Sequence, residues 1–311
     1  MSKVTKSKVI HKDFGNCLEI TNGLIRLLVT LDFGPRVIHF SLIDKENMFY
    51  EDPSREPIGE GFEIFGGEPL RLCGGHRLWI SPEVMPRCYY PDGEPVKFTQ
   101  KGDEFIFTAA VEDVNLIQKS ISITLDEDKP YVTLGHTIRN CGNWEVELAP
   151  WSITMMAAGG QAIIPMPNTE TGYLPNRIIS LWDYSMMNDP RVYWGNKYIL
   201  LNQDTTNSRA FKLGINNEAG WAACRNKGQL FIKFFEPDAE AVYPDNGCCC
   251  ESYTNDKFIE IETLGELCLI EPGDSVTHTE EWELYEAGGA QPEKWGFSED
   301  EIDKLLSPYI V

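Results

Sequence analysis

The stretch Leu18-Glu19-Ile20-Thr21-Asn22-Gly23-Leu24-Ile25-Arg26-Leu27 reads as two strands joined by a turn. Leu18 and Ile20 alternate with Glu19 and Thr21, and Ile25 and Leu27 flank Arg26. Asn-Gly tolerates the positive φ angles that a tight hairpin demands. The same period of two recurs over 36–43, 96–100, 104–110, 116–125, 131–139 and 145–156. It returns at 198–201, 210–215, 220–224, 229–235, 258–264 and 275–284. Turn residues separate these runs, among them Gly102-Asp103, Asn140-Cys141-Gly142-Asn143 and Asn216-Asn217. The pattern predicts an all-β, antiparallel protein of many strands.

Helical signal is scarce. Ser298 is the expected N-cap of a helix over 298–306, Glu301 completes a capping box, and Pro308 ends the run. Residues 165–196 carry several Pro, Asn and Gly and no clear period, so a long loop excursion is expected there. No internal repeat, low-complexity tract or linker interrupts the chain, and one domain over 1–311 is expected.

The 48 acidic and 27 basic residues give a net charge of -21. Such a field repels phosphate backbones and anionic lipid, which argues against nucleic-acid and membrane partners. Apolar runs stay short of transmembrane length, and the basic start Met1-Ser2-Lys3-Val4 leads into no apolar core of a secretory leader. The nine cysteines are therefore expected as reduced thiols of a cytoplasmic protein. Cys248-Cys249-Cys250 lacks the Cys-x-x-Cys spacing of structural zinc, so no metal and no cofactor are expected.

The chemistry-bearing residues concentrate in Leu72-Cys73-Gly74-Gly75-His76-Arg77-Leu78-Trp79-Ile80-Ser81-Pro82-Glu83. A proton donor, a permanent cation, an aromatic plate and a carboxylate follow a glycine pair, a set suited to a sugar ring. Of the five histidines, His39, His136 and His278 sit among apolar strand residues and read as core, and His11 lies near the terminus. His76 stands out because glycines let backbone approach a ligand. In Phe258-Ile259-Glu260-Ile261-Glu262-Thr263, Ile259 and Ile261 share one face and Glu260 and Glu262 the other. That acidic face is either solvated or the wall of a concave sheet. Arg36, after Gly34-Pro35, either pairs with a sheet-end carboxylate or reaches the ligand. Trp151 is either core or a stacking platform.

Several segments together resemble the galactose mutarotase-like superfamily. Val29-Thr30-Leu31-Asp32-Phe33-Gly34-Pro35-Arg36-Val37-Ile38-His39-Phe40-Ser41-Leu42 is similar to its opening hairpin. Ile261-Glu262-Thr263, Glu271-Pro272-Gly273-Asp274-Ser275 and Trp282-Glu283-Leu284 are similar to its last strands. Gly-Gly-His-Arg-Leu-Trp (74–79) and Pro-Trp-Ser-Ile-Thr (150–154) resemble signatures of an uncharacterised branch. The resemblance implies a large antiparallel β-supersandwich and an aldose 1-epimerase-like activity. Glu262 would be the base, His76 the acid, and Arg36, Arg77, Trp79, Glu83 and Trp151 the residues holding a small or oligomeric carbohydrate. One departure is visible: where epimerases place a second histidine after Thr137-Ile138-Arg139-Asn140-Cys141-Gly142, this chain has Pro150-Trp151-Ser152. Non-catalytic carbohydrate binding, and glycan hydrolysis or elimination on paired carboxylates such as Glu83 and Glu262, are the alternatives.

Overall fold

The computed structural model describes residues 3–288 and 295–310. Two large, mostly antiparallel sheets pack face to face. In the first, the strands run Thr5–Ile10, Asn16–Thr21, Ile25–Thr30, Val37–Leu42, His76–Ser81, Val146–Met156, Ile259–Leu264, Cys250–Thr254, Phe211–Ile215 and Ile179–Leu181. Cys268–Ile270 pairs beside Val146–Met156. The second runs Val192–Trp194, Tyr198–Asn202, Gln161–Pro165, Trp221–Asn226, Gln229–Phe235, Ser275–Glu286, Tyr131–Asn140, Ile117–Leu125, Glu104–Val111 and Lys97–Lys101.

The opening hairpin forms with a longer loop than a two-residue turn. Thr21 pairs with Arg26, only Gly23 takes a positive φ, and the Asn22 carboxamide accepts from the Leu24 and Ile25 N–H groups. The helix Glu299–Leu306 is capped by Ser298, whose hydroxyl accepts from the Glu301 N–H. The reciprocal half of the expected capping box is replaced by an ion pair of Glu301 with Arg225 at 2.5 Å. The excursion over 165–196 is loop with two short strands, Ile179–Leu181 and Val192–Trp194. Among the described residues, no helix is long and apolar enough to cross a membrane.

One core fills the space between the sheets, with Phe40, Phe49, Phe231 and Trp282 meeting at ring separations of 5.6 to 5.9 Å. A polar network is sealed within it. Glu280 accepts from Lys233 at 2.9 Å, from the Trp282 indole at 2.8 Å, and from the Ser152 and Thr263 hydroxyls. Burial alone would raise the Glu280 carboxyl, but the Lys233 ammonium holds it well below the ordinary carboxylate range. His76 and His136 are pushed the other way by burial and stay neutral.

Their hydrogen bonds then fix one proton arrangement. His136 Nδ1–H donates to the His278 carbonyl at 3.1 Å, which leaves its Nε2 as an acceptor. His76 Nε2–H donates to that atom at 2.6 Å, and His76 Nδ1 accepts from Thr154 Oγ1 at 2.9 Å.

A buried carboxylate stripped of its cation is costly. Lys233→Met is expected to lose about 3–5 kcal/mol of unfolding free energy in urea titrations, and the double change with Glu280→Gln to recover part of it. A single-variant loss below about 1 kcal/mol, the level of a surface pair, would count against this account.

Candidate functional site

Three neighbouring strands decide where the site residues go. Their registers align Arg77 with Ile153 and Ile153 with Glu262, and likewise His76 with Thr154 and Thr154 with Ile261. Paired residues share a face and successive residues alternate. Arg77, Trp79, Trp151, Ile153, Glu260 and Glu262 therefore lie on the outer, concave face. His76, Leu78, Thr154 and Ile261 point between the sheets.

His76 is accordingly fully buried, stacked edge-on to Trp282 at 4.7 Å and bonded to His136. It does not share a cavity with Glu262. The glycines before it serve the backbone and not a ligand: a Cβ on Gly74 would lie 2.2 Å from the Tyr50 carbonyl oxygen, and one on Gly75 2.5 Å from that of Val37. Both take positive φ. Arg36 is also turned away from the concave face. It pairs with Asp92 at 2.8 Å and donates to the Leu72, Gly74 and Arg71 carbonyls, strapping the loop that delivers the glycine pair.

The concave face holds a cleft of about 490 Å³. Arg77, Trp79, Glu83 and Trp151, all singled out from sequence, line it. Trp79 and Trp151 meet edge to face at 5.5 Å, and Tyr89 continues the aromatic floor 5.4 Å from Trp79. The Arg77 guanidinium lies over Trp79 at 4.6 Å. Glu83 stands at the exposed rim, accepting a hydrogen bond from the Tyr89 hydroxyl.

Glu262 is on the right face but sits behind the cleft wall. It accepts from the Trp151 indole at 2.8 Å and from Lys212 at 3.1 Å. The buried carboxylate that lines the cleft is Glu260, two residues earlier and 3.5 Å from Arg77. Burial pushes Glu260 up to about 7, Arg77 opposes the shift, and Glu262 adds to it.

Sequence reasoning missed Lys212, Trp182, Tyr184 and Tyr253, which also line the cleft. Lys212 lies 2.7 Å from Glu251 and packs between Trp151 and Trp182 at 4.4 and 4.5 Å. Burial would depress its ammonium, but Glu251 and Glu262 outweigh burial and keep it charged. Glu251, the register partner of Glu262, is driven well above the carboxylate range by burial. Trp182 and Tyr184 come from the loop excursion, the one part of this signal that the sequence carried.

No protein-family profile matches the chain, and no curated protein is similar to it in sequence. Solved structures are similar in shape. A putative aldose 1-epimerase from Klebsiella pneumoniae aligns over 98% of this chain and 86% of its own, at TM-score 0.58 and 11% identity. A galactose mutarotase-like protein from Lactobacillus casei aligns over 86% and 100%, at 0.56 and 10%. The fold is galactose mutarotase-like. A TPR-domain containing protein from Parabacteroides distasonis also aligns, at 0.58 and 11%, over 92% of this chain but half of that larger one. At these identities the mutarotase-like likeness fixes architecture and leaves the chemistry of the cleft to its own residues.

A carboxyl raised from 4.5 to about 7 is protonated in the folded state through a window where the unfolded chain has lost its proton. Its contribution to stability therefore falls as pH rises between those values. A carboxyl-detected NMR titration should place Glu260 near 7, and Arg77→Met should move it higher. A midpoint in the ordinary glutamate range would contradict the buried placement. Glu260→Gln should flatten that part of the stability–pH curve.

Proposed function

We propose that the concave cleft binds a neutral carbohydrate and that Glu260 carries the acid–base step of an aldose 1-epimerase-like ring opening. The observation supporting this reading is a cleft-lining carboxyl with its pKa near 7, set among aromatic rings on a mutarotase-like sandwich. Trp79, Tyr89 and Tyr253 offer faces for the C–H patches of a sugar. Arg77 and Lys212 are both engaged by carboxylates, which favours a neutral ligand over a phosphorylated one.

The proton count closes on one group. Protonated Glu260 gives its proton to the ring oxygen as the C1–O5 bond breaks. Its second oxygen takes the proton of the anomeric hydroxyl as the C1 carbonyl forms. Rotation about C1–C2 and the reverse transfers give the other anomer. A carboxyl poised at the working pH suits this exchange. Glu262 and Lys212 act behind it as a fixed charge pair, and His76 takes no part.

Non-catalytic carbohydrate binding is the second reading. It is favoured by the absence of any histidine from the cleft lining among the described residues. No observation favours glycan hydrolysis or elimination on Glu83 and Glu262, since one is tied to Tyr89 at the rim and the other lies behind Trp151.

The test is anomer exchange of glucose, galactose and other aldoses followed by NMR. Wild type should accelerate exchange, less so as pH rises through about 7. Glu260→Gln should slow it by about 100-fold or more, while a folded His76→Gln variant should stay close to wild type. Sugar binding that depends on Trp79, without acceleration, would leave the binding reading. Absence of both would remove the carbohydrate reading altogether.

A further inference from the structure

The fold brings a histidine–histidine–carboxylate trio together at two places, His76/His136/Glu280 and His11/His39/Glu51. In each, one ligand-type atom per residue lies within 4.8 Å of the others. The two differ in charge and access. The first is fully buried, its histidines satisfy each other, and the Lys233 ammonium already neutralises Glu280. A cation there would be sealed from solvent and repelled by Lys233.

The second trio lies near the surface. The His11 and Glu51 side chains are 17% and 11% exposed, which leaves a path to water. His11 Nε2 faces Glu51 Oε1 at 2.6 Å, and stacking on Phe14 at 6.0 Å sets its ring. His39, nine-tenths buried, meets the His11 ring edge-on at 6.2 Å. Its Nε2 is bonded to Ser41 Oγ at 2.9 Å, and among the described residues its Nδ1 has no hydrogen-bond partner. If Nε2–H donates to Ser41, Nδ1 presents a lone pair, the arrangement that orients a ligating imidazole. The competing cation is Lys12, whose ammonium is half exposed on a flexible stem and holds the other Glu51 oxygen.

We propose that His11, His39 and Glu51 form a binding site for a divalent transition-metal ion of the Zn²⁺ or Co²⁺ class, with a fourth position open to water. Two imidazoles and a carboxylate suit such ions better than Ca²⁺ or Mg²⁺, which prefer all-oxygen shells. The ligands come from the N-cap of the Lys12–Phe14 turn, the Val37–Leu42 strand, and the segment whose Glu51 bridges Gly74. A bound ion would fasten the N-terminal strand to the loop leading into the glycine pair.

The experiment titrates CoCl₂ and ZnCl₂ into untagged full-length protein carrying Cys141→Ser, since Cys141 is an exposed thiol. Calorimetry should give one equivalent, and Co²⁺ should develop visible absorption bands of a four-coordinate nitrogen–oxygen site. His11→Ala and His39→Ala, each shown folded by circular dichroism, should weaken binding by at least about tenfold. The same loss in His76→Gln but not in His11→Ala would move the ion to the buried trio and overturn the proposal. So would the absence of stoichiometric binding in the parent protein, which would leave Glu51 as an ion-pair partner of His11 and Lys12 only.

Discussion

The alternation of side chains along His76–Ser81 is the constraint on which the rest of the site depends. A strand sends neighbours to opposite faces, so His76 and Arg77 cannot serve the same cavity. His76 goes inward to the sealed network, and Arg77 goes outward to the cleft. The pairing with Val146–Met156 and Ile259–Leu264 propagates that choice across three strands. Ser152, Thr154 and Thr263 support the interior network, while Trp151, Ile153 and Glu260 shape the cleft. A single-residue slip in register would exchange the two sets.

Both faces bury carboxylates, and each handles the cost differently. Glu280 has a buried ammonium at 2.9 Å and three further donors, so it stays ionised. On the concave face, Lys212 divides its charge between Glu251 and Glu262. Glu260 has Arg77 at 3.5 Å and the negative potential of Glu262 nearby. Its weaker compensation leaves it raised to about 7. A proton-transfer group needs that intermediate state.

Much of the fold was legible from residue alternation and turn chemistry, because strand faces are written in the local sequence. The hairpin around Asn22-Gly23 and the runs over 117–156 show this. The shared face of Glu260 and Glu262 was readable in the same way, but which of the two reaches the cleft was not. That depends on the Trp151 indole covering Glu262 from a strand more than a hundred residues away. The segment 76–81 misled for a related reason. Its polar residues suggested one ligand-facing set, whereas His76 is bonded to His136 of the opposite sheet and Arg77 faces the cleft. The glycine pair signalled close approach correctly, but what approaches is the backbone of Tyr50 and Val37.

The cleft divides its work between rigid and irregular parts of the chain. Arg77, Lys212, Glu260 and Glu262 all stand on paired strands, where their charges are held in fixed mutual positions. Trp182 and Tyr184 arrive on the long excursion, with Trp182 closing over the Lys212 ammonium and Tyr184 partly exposed beside it. Charge placement tolerates little displacement, because the Glu260 carboxyl is poised by a 3.5 Å contact. Aromatic side chains contribute mainly apolar area, which depends less on exact position. Changes in the excursion can therefore alter the aromatic lining without moving the charges beneath it, whereas a change in strand register would disturb both.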